Sequence, residues 1–264
     1  MFVLFAIAAL AWSFSAIRWS LSRRERRRGA VMLTTAVLGA AAIASVADDI
    51  RSMQLGRDAR PSNLRIRIEH RDGWWRLDYQ RNGVSFTTAN EMHVPAGTAV
   101  DIEWLDLPPP RIAEAVCLAQ DDHRCTLVAR DRAGRATFAG LWPPTWTSLG
   151  VIADPPPQFE RWFRNETLPA RTAVAGGPAL FVSAGCGYCH VVRGVSDDPW
   201  RLAPDLTHFA SHTTIGATTL PNRAGFLSGW IVNSRALKTD SGMPQNRIDP
   251  AVLHGLVAYL ESLR

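Results

Sequence analysis

Cys186-Gly187-Tyr188-Cys189-His190 is the stretch that decides how the C-terminal part of this chain folds. Two thiols three positions apart, followed at once by an imidazole, form the pattern of covalent c-type haem attachment. The chemistry sets the spacing: the thiols add to two vinyl groups of the macrocycle, and the next residue presents its ring to the iron. A redox disulfide or half of a zinc site would also use a bare Cys-x-x-Cys. The adjoining His190 and the lack of a second Cys-x-x-Cys argue against both. One covalent haem c is therefore the expected cofactor, with His190 as an axial ligand. Upstream, Ala179-Leu180-Phe181-Val182 suits a helix whose apolar face packs on the macrocycle.

A sixth iron ligand is expected to be methionine or histidine. Met243 is the only methionine after the motif, and it sits in Ser241-Gly242-Met243-Pro244 just before a helix predicted over Asp249 to Leu263. His208, His212 and His254 compete with it, and each also reads as an ordinary surface histidine. A methionine ligand favours Fe(II) and raises the reduction potential.

Before this segment, residues 166–177 contain Pro169, Gly176 and Gly177 and read as a linker with some flexibility. Residues 51–165 read as β structure. Leu64 to Glu69 alternates apolar and polar residues, Trp74 to Tyr79 is a second strand, and Asn82-Gly83 is a turn signal. Strands are also predicted over Glu91 to Val94, Ala99 to Trp104, Ala115 to Leu118, Thr126 to Arg130 and Ala136 to Leu141. Short strands with Gly and Pro punctuation suggest a sandwich. A short amphipathic helix is predicted over Gln158 to Arg164, after Pro155-Pro156-Pro157. Cys117 and Cys125, eight residues apart, can clasp a hairpin as a disulfide adding roughly 2–3 kcal/mol. A metal site with His123 has too few ligands.

Residues 1–50 concentrate the apolar side chains. Met1 to Ile17 and Ala30 to Ala47 are two nearly uncharged runs, separated by a basic stretch from Arg18 to Arg28. That pattern predicts a two-helix transmembrane hairpin in the lipid bilayer, its basic turn in the cytoplasm and everything after it periplasmic. A cleaved signal peptide would carry its positive charge before the apolar core, not after it. The net charge of +5 is more than accounted for by the six arginines between Arg18 and Arg28, so no nucleic-acid partner is expected.

Several segments resemble a known family. His70-Arg71-Asp72-Gly73-Trp74-Trp75, Thr88 to Gly97 and Ala153-Asp154-Pro155-Pro156 resemble subunit II of bacterial cytochrome c oxidases. Pro204 to His208, Thr218 to Asn222, Met243-Pro244 and Leu256 to Leu263 resemble the fused cytochrome c domain of the caa3 type. The resemblance implies a hairpin, a cupredoxin-like sandwich and an all-α class I cytochrome c domain over residues 178–264, in that order. It implies that the Pro204 carbonyl accepts the His190 N–H, and that Trp230 donates to a haem propionate or serves as a helix core residue. Trp74 and Trp75 would lie near the electron route or simply pack in the core.

The family holds copper in a loop bearing cysteine, histidine and methionine. The matching loop here, Gly140 to Leu149, has none of them, and neither does Leu107 to Ala115. No copper is expected, with Trp142 and Trp146 filling that place. The implied role is electron relay from a cytochrome c or bc1-type donor to the catalytic subunit I of a haem–copper oxidase at a bacterial inner membrane. A nitric oxide reductase subunit and a stand-alone membrane-anchored cytochrome are the alternatives.

Overall fold

The computed structural model describes residues 23–105, 115–129, 135–139, 148–197 and 202–264. The chain divides into two compact units, Met1–Gln54 and Leu55–Arg264.

The first unit corrects the transmembrane reading. Helix α1 spans Arg23–Asp58, so the basic residues from Arg23 to Arg28, expected as a turn, are helical. Charge therefore enters both ends of this helix. Its apolar run is broken by Thr34, Thr35 and Ser45 and is followed by Asp48, Asp49 and Arg51. Among the described residues no helix is long and apolar enough to cross a membrane. The first apolar run, Met1 to Ile17, lies outside the described residues. The hairpin and the two-pass inner-membrane placement built on it are thus overturned. Val31, Met32, Val37, Leu38, Ile43 and Val46 stand exposed along α1.

The second unit begins with two β-sheets around one core. The strands are β1 Arg65–Arg71, β2 Trp74–Arg81, β3 Val84–Ala89, β4 Glu91–Pro95, β5 Ala99–Trp104, β6 Ala115–Ala119, β7 Arg124–Ala129, β8 Arg135–Ala139 and β9 Ser148–Asp154. A six-stranded sheet has the order β3-β2-β1-β5-β7-β6, and a three-stranded sheet the order β4-β9-β8. The period-2 pattern works as read: Ile66 and Ile68 are buried while Arg65 and Arg67 face out. Asn82 and Gly83 both adopt left-handed φ, at 51° and 78°, as a two-residue hairpin turn demands. Strands β3 and β9 were not expected. Ser85, Thr87 and Thr88 hide the alternation of β3, and Gly150 interrupts the apolar run of β9.

Helix α2, Pro156–Glu166, closes the sandwich by burying Phe159 and Phe163. Its prolines occupy the first turn, where missing N–H groups cost nothing. Tyr79 stacks on Phe86 at 4.9 Å and donates its hydroxyl to the His93 carbonyl at 2.9 Å. Arg81 makes two bonds to Glu160, at 2.6 and 2.8 Å, and lies 3.9 Å above the Phe163 ring. Cys117 and Cys125, on adjacent strands β6 and β7, are joined as a disulfide with Cα atoms 5.4 Å apart.

The remaining residues form a small helical domain. Helices α3 Gly177–Ser183, α4 Ala224–Leu237 and α5 Pro250–Ser262 surround a core of Phe181, Leu227, Ile231, Leu256 and Leu260. Asp249 caps α5 by accepting from the Ala251 N–H at 2.8 Å. Helices α3 and α5 cross at glycines. A Cβ on Gly177 would come within 2.3 Å of the Tyr259 ring, and one on Gly255 within 2.7 Å of Leu180. The linker is held rather than loose: Arg171 and Arg264 exchange backbone hydrogen bonds, and Thr172 bonds Ser262 at 2.8 Å.

Candidate haem site

Helix α3 ends at Ser183 with Ala184 as its C-cap, and Gly185 turns the chain with φ +81° into a single 3₁₀ turn, Cys186–Tyr188. A left-handed turn of this kind favours glycine. The turn puts Cys186 against the apolar core and leaves Cys189 and His190 half-buried. Both cysteines are free thiols. Burial pushes the Cys186 thiol pKa up, and neighbouring Cys189 adds to the rise.

His190 is oriented by one bond. Its Nδ1 lies 2.8 Å from the Pro204 carbonyl oxygen, so Nδ1–H donates there and Nε2 keeps its lone pair. Burial pushes the imidazole pKa down, against the Pro204 bond and Asp205, which favour the cation. A neutral imidazole with a fixed tautomer is the form that binds a metal. Ser196 anchors the same turn by donating to the His190 carbonyl at 2.9 Å.

Met243 lies on a loop fastened to α4. That helix breaks at Asn233, whose backbone leaves helical geometry and whose side chain accepts from Ala236 N–H. Immediately afterwards, buried Ser234 bonds Ser241 Oγ at 2.8 Å and donates to the Met243 carbonyl at 3.2 Å. Arg235 donates to the Ser241 carbonyl, and Asn246 to the Ile231 carbonyl. The competing histidines are engaged elsewhere or face solvent. His208 is buried, with Asn165 at one ring nitrogen and the Leu168 carbonyl at the other. His212 meets Thr88 of the sandwich at 3.4 Å, and His254 is exposed on α5.

Trp230 is half-buried on α4. Its ring covers Gly216, where a Cβ would come within 2.6 Å. Gly216, Ala217 and Thr218 adopt three successive left-handed φ values, 63°, 54° and 65°. Each non-glycine residue held this way costs about 1–2 kcal/mol. The loop lies between β10, Thr214–Ile215, and β11, Leu220–Pro221, with Trp230 on one side and β9 on the other.

The sandwich and the helical domain meet through polar contacts the sequence reading did not anticipate. Buried Glu91 accepts from Thr213 N–H, from Thr213 Oγ1 at 2.6 Å and from Thr214 Oγ1 at 2.5 Å. Burial works to raise its pKa, but His212 and these hydrogen bonds outweigh it and hold the carboxyl below the usual range. Lys238 Nζ donates to the Gly73 carbonyl at 3.1 Å and pairs with Asp240 at 2.5 Å. A cleft of about 400 Å³ runs along this junction, lined by Ser148, Ala217, Thr218 and Lys238 among others. Of these residues only Gly73 had a usable signal, since Asp-Gly is a hairpin turn dipeptide.

Trp74 and Trp75 are buried. Trp75 packs edge-on against Trp104 at 6.2 Å and beside His70 at 4.8 Å. Trp142 and Trp146, and most of the Leu107 to Ala115 segment, lie outside the described residues. No cluster of three or more His, Cys, Asp or Glu placed to hold a metal ion occurs among the described residues.

The residues fit a covalently held haem. Two free thiols flank a turn that ends in a neutral histidine with one nitrogen committed, and an apolar core lies beside them. Cys186 and Cys189 would hold the porphyrin and His190 the iron, and the bound group supplies a one-electron couple. Fold and site together define a small c-type haem domain.

Residues 174–264 match the Cytochrome c family, so this segment is a cytochrome c domain and its role is haem-based electron transfer. No curated protein matches the chain.

Proposed function

We propose that this chain relays electrons to the catalytic subunit of a haem–copper oxidase, in the manner of a subunit II with a fused cytochrome c domain. The observation that carries the reading is the order and docking of its parts. A β-sandwich whose segments resemble that subunit is packed against the cytochrome c domain through Glu91, Thr213, Thr214 and Lys238. His190 and Met243 are the two iron ligands. Met243 is supported by the engagement of His208 and His212 elsewhere.

The donor is a cytochrome c or a bc1-type complex, delivering one electron at a time. The chain itself binds no copper, because the Gly140 to Leu149 loop offers no thiolate, imidazole or thioether. Transfer to the partner then bypasses a copper relay. Trp74 and Trp75, directly after the turn that touches the Met243 loop, are candidates for the path into the sandwich.

Affinity purification of the matured chain from its native host, followed by optical and metal analysis, tests this. The expected result is about one iron per chain, negligible copper, and a co-purifying subunit whose haems are oxidised by oxygen. Stoichiometric copper in the isolated chain would refute the copper claim. A co-purifying complex that consumes nitric oxide and not oxygen would assign the chain to a different terminal reaction.

A further inference from the structure

We propose that the sandwich positions the axial methionine: the β1–β2 turn, Asp72-Gly73, seats the loop that carries Met243. This rests on the reading of Met243 as an iron ligand, and extends it to residues about 170 positions away in sequence.

The contact is close and specific. Gly73, at φ +78°, lies so near the loop that a Cβ there would come within 2.5 Å of the Asp240 carbonyl oxygen. A Cβ on Gly242, next to Met243, would touch the Asp72 side chain at 3.4 Å and its carbonyl at 3.6 Å. Lys238, at 5% exposure, bridges the two: its ammonium donates to the Gly73 carbonyl and to Asp240. A buried ammonium is tolerated only with such partners.

The opposite side of the same loop is held by α4. Ser234 and Arg235 fasten Ser241 and the Met243 carbonyl there. The loop from Lys238 to Met243 is therefore clamped between its own domain and the sandwich. A Met–iron bond is weak and yields to other ligands when its loop swings away. A clamp that removes the open state raises the effective strength of that bond, since competing ligands bind only the open fraction. Gly73 and Lys238 are thus positioning residues. They do not touch the haem, and act through the loop.

The test is spectroscopic, on the full-length matured protein. Gly73→Ala adds a methyl group where the Asp240 carbonyl stands and where φ is left-handed. It is expected to open the loop, raising the affinity of ferric haem for added imidazole by about tenfold. It should also weaken the charge-transfer absorption that marks methionine-ligated ferric haem and lower the reduction potential.

Gly83→Ala is the matched control. Its glycine has the same φ, +78°, in the neighbouring hairpin turn, and no atom lies within 4 Å of the added carbon. It carries the same backbone penalty without reaching the loop, and should leave imidazole affinity and the absorption unchanged. If Gly73→Ala does not fold, Lys238→Met decides the matter through the same readouts, with Lys238→Arg, which keeps a cation there, expected to hold imidazole affinity closer to wild type. Unchanged imidazole affinity in the Gly73 variant, or in Lys238→Met where that variant decides, would overturn the proposal. Equal shifts in the Gly73 and Gly83 variants would also overturn it. Met243→Ala separates the two claims. If it leaves the charge-transfer absorption intact, the ligand assignment itself is wrong. If it abolishes the absorption while Gly73→Ala changes nothing, only the clamp is wrong.

Discussion

The Glu91 carboxylate accepts the Thr213 hydroxyl at 2.6 Å, joining the first residue of β4 to a cytochrome c segment 122 positions later in the chain. Glu91 is 2% exposed and also receives Thr214 Oγ1 and Thr213 N–H. A carboxylate taken out of water needs such donors, because an unpaired one would shift its pKa and lose its charge.

Replacing Glu91 should therefore loosen the junction. Glu91→Ala leaves two hydroxyls and an amide without their acceptor, at about 1–3 kcal/mol for each group that water cannot reach. Glu91→Gln keeps the acceptor oxygen and should cost less. The pH dependence has a definite sign. The folded pKa is depressed below the ordinary 4.5, so the stability this group contributes is present above 4.5 and lost as pH falls through the folded value. Urea unfolding of the matured protein across the acid range checks this: wild type should lose stability that Glu91→Gln does not.

If Cys186 and Cys189 hold the haem and His190 its iron, the thiols and the imidazole should have separable effects. The double variant Cys186→Ala/Cys189→Ala should yield protein from which acidified organic solvent extracts all colour, whereas the wild-type haem stays with the polypeptide. His190→Ala should keep any haem that is attached but lose the low-spin spectrum. Wild-type protein recovered without Soret absorbance would remove the basis for a haem role.

The legible parts of this chain were those written in local sequence. The Cys186 to His190 motif, the helix ahead of it and the final helix follow from spacing and apolar periodicity, which a reader can see within ten residues. The strand over Leu64 to Glu69 was equally plain, since Ile66 and Ile68 alternate with arginines. The docking of the two domains was not. Glu91, Lys238 and Thr213 look like surface polar residues until the fold brings their partners from more than 100 positions away. Strand β9 was missed for a related reason: Gly150 weakens its β signal, yet a Cβ there would lie 3.4 Å from both the Asn90 carbonyl oxygen and the Thr218 methyl group. The N-terminal reading failed because it treated the arginines between the apolar runs as a turn, whereas from Arg23 onward they continue into one helix.

The crossing of α3 and α5 sets up a stability prediction that does not involve the haem ligands. Gly177→Ala would press a methyl group into the Tyr259 ring, which is fully buried and has little room to move. Overpacking of this kind costs about 1–3 kcal/mol. Gly255→Ala meets only the end of the Leu180 side chain, a softer neighbour, so its cost should be smaller. Thermal unfolding of the two matured variants, compared with wild type, should give that order, and the reverse order would mean the crossing is looser than described.

Glu166 provides a second pH test, in a different window. It ends α2, is 3% exposed, and burial raises its pKa to about 8, with Arg193 opposing and Asp205 adding to the rise. At neutral pH the folded protein therefore holds this group protonated, while the unfolded chain has released the proton above the ordinary value of 4.5. Between those values the folded state binds more protons, so stability falls as pH rises. The contribution is complete below 4.5 and gone above about 8, where the buried group must ionise. Glu166→Gln keeps the shape and cannot ionise. Relative to wild type it should gain on the order of 3–5 kcal/mol between mildly acidic and alkaline solution. Denaturant unfolding at about pH 5, 7 and 9 measures this directly, within a range that the Glu91 effect does not enter. Parallel profiles for the two proteins would show that Glu166 is ionised in the folded state and that Arg193 outweighs burial there.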